Sequence, residues 1–429
     1  MSSNSINGIE DEQIYHFLPK AVRDGGFARA YNPIIPGERG IPMGNAHEYL
    51  MPDYYPDFHC KTGMCRAACC VGWNVSLSMQ DYFRLLGVEC RKHVREKLDC
   101  ALHVKRYPTE DSYAELVHRY DGNCPLRMEN GLCAIHAEAG EQALPAICRL
   151  YPRAIRAEGD FECSCAASCE RVVEMLLDSG RPVRFARRSL IQDAPESAGR
   201  SVFFETVPRE QEIRMKLIGV MQDQTRSLTH RLLRMERALD ILAADWKAGR
   251  IDEFLARSED ELAEFEAMEV REEHLLNGLQ CVKEIIEQTT ENSPSLHDYA
   301  EKCLALFEGA ENPLESYRRA NAHFEAIFPN WEQGYENLLV NHMFFSRYPF
   351  ADMGGGLRGE FVALCAVYTM MRFFGVCWMA DKEDEAALVD VLAALFRLID
   401  HTRFHRRAER ILTEIGCDTP ERLQEIMNL

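Results

Sequence analysis

Cysteines in this chain are gathered rather than spread: twelve of the seventeen fall between Cys60 and Cys169. The run opens as Cys60-x4-Cys65-x3-Cys69-Cys70 within YPDFHCKTGMCRAACCVGWNV. Cys124, Cys133 and Cys148 follow, and Cys163-Ser-Cys165 with Cys169 closes it. Thiolates at such short spacings converge on a metal ion or an iron–sulfur cluster more readily than they form a set of independent disulfides. A segment knitted by metal bonds tolerates short helices and irregular loops, because those bonds replace part of a core. We therefore expect a cysteine-rich metal-binding module, with short helices at Met79–Leu86, Cys90–Leu102, Leu144–Leu150 and Ser168–Leu177.

Beyond residue 210 the pattern changes. Apolar residues recur at i, i+3 and i+4 through 209–222, 225–247, 250–267, 269–289, 296–308, 312–325, 333–346, 358–380, 384–399 and 403–415, which predicts a helical array. Thr419-Pro420-Glu421 opens a last helix, with a capping hydroxyl followed by proline in the first turn. No stretch alternates long enough to argue a sheet. The fold class expected is mainly α, in three parts: an N-terminal extension (1–45), the cysteine-rich module (46–180) and an α-helical domain (181–429). The basic stretch that starts at Arg181 reads as a solvated connection between the last two.

A net charge of −19 argues against a nucleic-acid partner, which would require basic surface. The first residues, MSSNSINGIEDEQIYHF, lack the basic start and apolar run of a secretory signal, so a reducing, cytoplasmic setting is expected. The apolar stretch Phe361–Ala380 contains Arg372, which favours a buried central helix over a membrane span.

Within the cysteine field, Gly63 permits a bend between Cys60 and Cys65, and Asn130-Gly131 suits a hairpin-like loop delivering Cys124 and Cys133. Adjacent Cys69 and Cys70 are poorly placed to ligate one ion together, so one of them serves a second site or stands behind the ligands. Trp73 is expected to shield the metal. Cys90, Cys100, Cys281, Cys303, Cys365, Cys377 and Cys417 read as small buried hydrophobes. Ligand type alone leaves zinc and an iron–sulfur cluster both open, although the absence of paired C-x2-C knuckles favours a cluster. The C-x3-C-x2-C spacing of radical adenosylmethionine enzymes is absent, since Gly72 and Val172 stand where its third cysteine would be.

The strings PDYYPDFHCKTGMCRAACCVGWNVSLSMQDYFRL, CPLRMENGLCAIHAEAGEQALPAICRLYPR and FECSCAASCERVVEMLL resemble the flagellin lysine-N-methylase family. The first two also resemble the wider group of zinc- or iron-chelating cysteine domains. The likeness continues through ENLLVNHMFFSRYPF and DHTRFHRRAERIL, covering roughly residues 50–415. It implies a protein-lysine N-methyltransferase that uses S-adenosylmethionine, takes flagellin as protein substrate and carries an iron–sulfur cluster of the 4Fe–4S kind. The positions matching the family pattern, and so the implied metal ligands, are Cys60, Cys65, Cys69, Cys70, Cys124, Cys133, Cys148 and Cys169. Cys163 and Cys165 are additions to it. The alternative is a non-enzymatic zinc- or iron-chelating protein whose helical domain binds a partner.

The residues themselves say less about methyl transfer. Asp352-Met-Gly354-Gly-Gly356 has the composition of a cofactor loop but follows no predicted strand, and reads as a turn between helices. Trp331, Tyr335, Phe344, Phe345, Tyr348 and Phe350 could wall an ammonium site, yet core packing accounts for them better. His342 reads as a partly buried helix residue. His401 and His405 read as a solvated or capping pair on one helix face. No catalytic base and no donor pocket is assigned.

Overall fold

The computed structural model describes residues 46–66, 69–72, 75–156, 161–191, 207–262, 271–291, 293–350 and 356–429. The expected N-terminal extension, Trp73, most of the glycine-rich turn at 352–356 and the end of the expected helix 250–267 lie outside them.

Strand β1 (Ala46–Pro52) leads into the cysteine loop, then come β2 (Val75–Leu77), helices α1 (Met79–Leu86) and α2 (Lys92–Ala101), and strands β3 (Leu102–Val104) and β4 (Ala114–Leu116). Two short helices follow, α3 (Ala134–Ala139) and α4 (Ala146–Leu150), then β5 (Arg153–Arg156), β6 (Glu162–Cys165), α5 (Glu170–Leu177) and β7 (Phe185–Ile191). Strands β2, β4 and β3 form one small antiparallel sheet. Strands β5, β6, β1 and β7 form a mixed one, with β1 parallel to β6 and antiparallel to β7.

These two sheets were not legible as alternation. Most of the strands span only three or four residues, and Glu162–Cys165 is buried on both faces, so its pattern does not alternate. Strand β7 forms part of the stretch expected as a solvated connection from Arg181 to about Pro208, of which 192–206 lie outside the described residues. It pairs with β1 from Ala46↔Ile191 to Pro52↔Phe185, joining segments on either side of residue 180.

The remainder is helical: α6 (Glu210–Met221), α7 (Leu228–Lys247), α8 (Ile251–Ala256), α9 (Glu272–Thr290), α10 (Pro294–Ala305), α11 (Pro313–Ile327) and α12 (Trp331–Ser346). Then come α13 (Gly356–Trp378), α14 (Glu385–His401), α15 (Phe404–Glu414) and α16 (Pro420–Met427). The chain is thus mainly α, with most helices near their predicted places; Ala134–Ala139 was not expected, and the helix expected over 250–267 ends at Ala256. Ser227, Asn312, Asp384 and Thr419 cap helix N-termini with side-chain oxygens, as such residues should. Helix α13 is apolar enough to cross a membrane by length and composition, but 94% of its apolar window is buried among its neighbours, as expected of a central core helix.

Hydrophobic packing divides the molecule differently from secondary structure. A small core (Val75, Leu77, Leu85, Leu98, Leu116, Leu126 and neighbours) supports the β2–β4–β3 sheet. A large core runs without interruption from Tyr49, Met51 and Phe58 on the cysteine side to Leu338, Phe373 and Leu395 among the helices. Across that junction lies a buried charge cluster. Glu162 of β6 accepts from Arg214 Nη1 (2.8 and 2.9 Å), Arg156 Nη1 (2.9 Å) and Gln211 Nε2 (2.9 Å). Arg214 also donates to Phe344 O (2.8 Å), and Arg156 donates to Phe345 O, so the two guanidinium groups cap the carbonyl end of α12.

Candidate metal centre and adjoining crevice

The implied metal ligands sit on four segments that the fold brings together. The loop carrying Cys60 to Cys70, whose one regular element among the described residues is the turn Thr62–Met64, is tied to the helices by side-chain contacts. Lys61 Nζ bonds Glu170 (2.6 Å) and Glu174 (2.7 Å) of α5, Arg66 bonds Asp390 of α14 (2.9 Å), and Arg397 Nη1 donates to Val71 O (3.2 Å). Facing it is the loop 124–133, a hairpin closed by Met128 N to Leu132 O (2.8 Å), with Gly131 in the left-handed region. Cys124 N donates to Cys70 O (2.8 Å). At the crossing, a Cβ on Gly63 would come within 2.4 Å of Asn130 O, and one on Gly131 within 2.3 Å of Gly63 O. Gly63 is therefore needed for close approach rather than for a bend; the left-handed residue of its turn is Thr62.

Cys148 arrives on α4, which is held by Ala146 N donating to Asp81 Oδ2 (3.2 Å). Cys169 is the N-cap residue of α5. The thiols group by their electrostatic neighbours. Cys60, Cys65 and Cys169 influence one another, whereas Cys70, Cys124, Cys133 and Cys148 form a second set. Cys69 stands between the sets, its Sγ 3.9 Å from that of Cys70 and electrostatically felt by Cys60 and Cys148.

Burial pushes most of these thiols up: Cys65 and Cys124 to about 12, Cys169 to about 11, and Cys148 well above its usual range. Cys70 moves the other way, to about 7, because Cys69 donates its S–H to it, with the Arg127 charge assisting. Among the described residues, no three cysteine, histidine or acidic side chains stand close enough together to hold a metal ion as placed. What fits a metal or cluster is the donor chemistry: eight thiols on facing segments, four on either side of the Cys69–Cys70 peptide bond when Cys69 is counted with Cys60, Cys65 and Cys169.

The other cysteines separate clearly. Cys163 and Cys165 are fully buried on β6, inside the large core. Cys303, Cys365 and Cys377 are buried as expected, whereas Cys100 is exposed on α2. Cys281 of α9 and Cys417, which precedes α16, are joined by a disulfide rather than lying as separate core thiols. They are 136 residues apart, a separation that sequence spacing does not pair.

A small crevice adjoins the thiol field, lined by Ile147, Tyr151, Arg153, Ala166, Phe345 and His401. Tyr151 OH lies 3.0 Å from Ser168 Oγ, which lies 2.7 Å from His401 Nε2. Ser168 is wholly buried and immediately precedes Cys169. Burial lowers the His401 pKa to about 4, so its ring is neutral at pH 7, and the tautomer sets which of Nε2 and Ser168 Oγ donates. Behind this wall, His342 Nδ1 bonds Asp400 Oδ1 (3.0 Å), His342 Nε2 bonds His405 Nε2 (2.8 Å), and His405 Nδ1 bonds Glu360 Oε2 (2.8 Å). Asp400 Oδ2 also accepts the Ala167 N–H (3.0 Å).

All three histidines are thus buried and networked, not solvated, and His342 is 1% exposed. His401 and His405 do not share a helix. Thr402 is extended (φ −131°, ψ 178°) and separates α14 from α15. The signal missed was the pairing of each histidine with an acid or hydroxyl 45 to 233 residues away. Of the aromatic residues at 331–350, Tyr335, Phe344, Tyr348 and Phe350 are core, and Phe345 reaches the crevice.

Residues 214–424 match the family described as FliB lysine N-methylase C-terminal domain. Proteins named Lysine-N-methylase from Salmonella choleraesuis (strain SC-B67) and Salmonella typhimurium (strain LT2) are each 24% identical over 148 residues. That alignment covers 34% of this chain and 37% of each relative, so the chain spans little more than a third of their length. A Salmonella muenchen protein named Flagellar biosynthetic protein FliU is 24% identical over 148 residues, 33% of this chain and 87% of that one. No solved structure matches the chain significantly. The helical half thus resembles the FliB lysine N-methylase C-terminal domain.

Proposed function

From that likeness we propose that the chain methylates lysine side chains of a flagellar protein, flagellin in our reading, with S-adenosylmethionine as donor. The observation that carries the reading is the meeting of two parts at one crevice. His401 and Phe345 come from the half matched to the methylase family, and Tyr151 and Ala166 come from the cysteine-rich half.

Methyl transfer to a lysine requires loss of an ammonium proton before the amine attacks the methyl carbon. The wall of the crevice is suited to handling that proton. Tyr151, Ser168 and His401 form a continuous chain of hydroxyls and imidazole, with a neutral ring at its inner end. Phe345 and Ile147 add apolar surface that excludes water from the amine.

An iron–sulfur cluster, or zinc in its place, would be held by Cys60, Cys65, Cys69 and Cys169, by Cys70, Cys124, Cys133 and Cys148, or by both sets. When bound, such a group would supply structural cross-links among the segments that carry these thiols, and its four thiolates would leave the site with a net negative charge. Because most of these thiols are protonated as free groups, loading must release protons, and metal affinity must rise with pH.

The test is anaerobic purification of the full chain, an absorption spectrum to separate a coloured cluster from colourless zinc, then incubation with flagellin and methyl-labelled donor. Label on flagellin lysines supports the reading. An intact metal module without label supports the alternative, a chelating protein with a partner-binding helical half.

A further inference from the structure

The chain Glu360–His405–His342–Asp400 contains a constraint on its proton count that follows from geometry alone. Its three hydrogen bonds, at 2.8, 2.8 and 3.0 Å, each need one proton. Two neutral imidazoles supply only two, since each has one donor and one acceptor nitrogen. If both rings gave their proton to a carboxylate through Nδ1, two Nε2 lone pairs would face each other at 2.8 Å with nothing between them. A third proton, or a cation in its place, is therefore required, and all four side chains are buried, so water does not stand in for it.

A metal ion is the rival occupant, because carboxylates fixing the far nitrogens of two converging histidines also describe a metal site. It fits worse. Tetrahedral zinc with Zn–N near 2.0–2.1 Å sets its nitrogens about 3.4 Å apart, wider than the 2.8 Å here. Moreover, no third ligand joins the pair among the described residues.

We infer that His342 and His405 hold one shared proton between them, so that the four groups together carry a single negative charge. Each group comes from a different packed element: His342 from α12, Glu360 from α13, Asp400 from α14 and His405 from α15. Tyr348 lies close enough to Glu360 to feel its charge, and His401 adjoins Asp400 in sequence. The shared proton thus pins four helices at one point. It also fixes Asp400, whose second oxygen holds the Ala167 N–H and so sets Ser168 under His401. His342 and His405 are positioning residues for the crevice, a role that rests on reading the crevice as the methyl-transfer site.

The experiment is a proton–nitrogen spectrum of the full-length protein labelled with ¹⁵N-histidine, recorded between about pH 5 and 8. The inference predicts an exchangeable ring proton far downfield of the amides, correlated with Nε2 and lost in both His342→Gln and His405→Gln. Glu360→Gln keeps an acceptor for Nδ1 but removes a charge, and should lose the resonance at lower pH than the parent does. The same substitution should shift the pH profile of methyl transfer, which a merely structural role would leave in place. A folded parent protein without the resonance overturns the inference, as does a bound metal ion that is lost with His342→Gln. The parent spectrum needs no variant to fold and no activity. A visible shared proton without methylation sinks the functional reading alone, and methylation without the proton sinks this one alone.

Discussion

His401 carries the clearest pH signature of any single side chain. Its folded-state pKa is about 4 against an ordinary 6.5, because burial disfavours the charged ring. Between those values the unfolded chain binds a proton that the folded chain refuses. Stability is therefore full above pH 6.5 and falls with decreasing pH by about 1.4 kcal/mol per unit, about 3 kcal/mol in all. Urea unfolding at about pH 7 and 5 should show the parent losing about 2 kcal/mol more than His401→Gln; equal losses would refute the assignment. Glu162 is the second such residue. Its carboxylate is held below the usual range: burial acts to raise it, and Arg214 and Arg156 outweigh that. Glu162→Gln leaves two guanidinium groups short of a buried counter-charge and should cost about 3 kcal/mol or more. The paired change Glu162→Gln with Arg214→Met should cost less than the sum of the two single changes, as a thermodynamic cycle would measure.

At the scale of elements, two loops matter more than any helix. The crossing of Gly63 with Gly131 sets the distance between the thiols of the 60–70 loop and those of the 124–133 loop. A methyl group at either glycine meets backbone, which cannot rotate aside, and Gly131 has in addition φ of +79°. Gly63→Ala should lower the metal retained per chain after anaerobic isolation while leaving the helical circular dichroism unchanged; unaltered metal content would contradict it. Neither the crossing nor the histidine network could be read from sequence, since both join residues tens to hundreds of positions apart. The helices could, because their determinants are local: Thr419 before Pro420, and apolar spacing such as Leu232, Met235 and Leu239 on α7. The strands failed for the opposite reason, being short or, like Glu162–Cys165, buried on both faces. The cysteines were legible as a field but not as two sets. Which thiol faces which depends on where α4 and α5 deliver Cys148 and Cys169.

In the whole molecule, the large core passes through the junction between the cysteine-rich and helical halves, so the two should unfold together in one main transition. Disturbing the thiol field should then be felt at the crevice, because Cys169 follows Ser168 directly and Cys148 precedes Tyr151 by three residues. Anaerobic full-length protein, mixed with flagellin and S-adenosylmethionine labelled in its methyl group, tests the central claim most directly, with mass spectrometry locating label on individual lysines. The account predicts methylated flagellin lysines with the parent protein, and a loss of at least tenfold with His401→Gln, the scale on which removing one positioned proton-handling group slows such a step. Unmethylated flagellin in the presence of a fully loaded metal module, or methylation that His401→Gln leaves untouched, would contradict it.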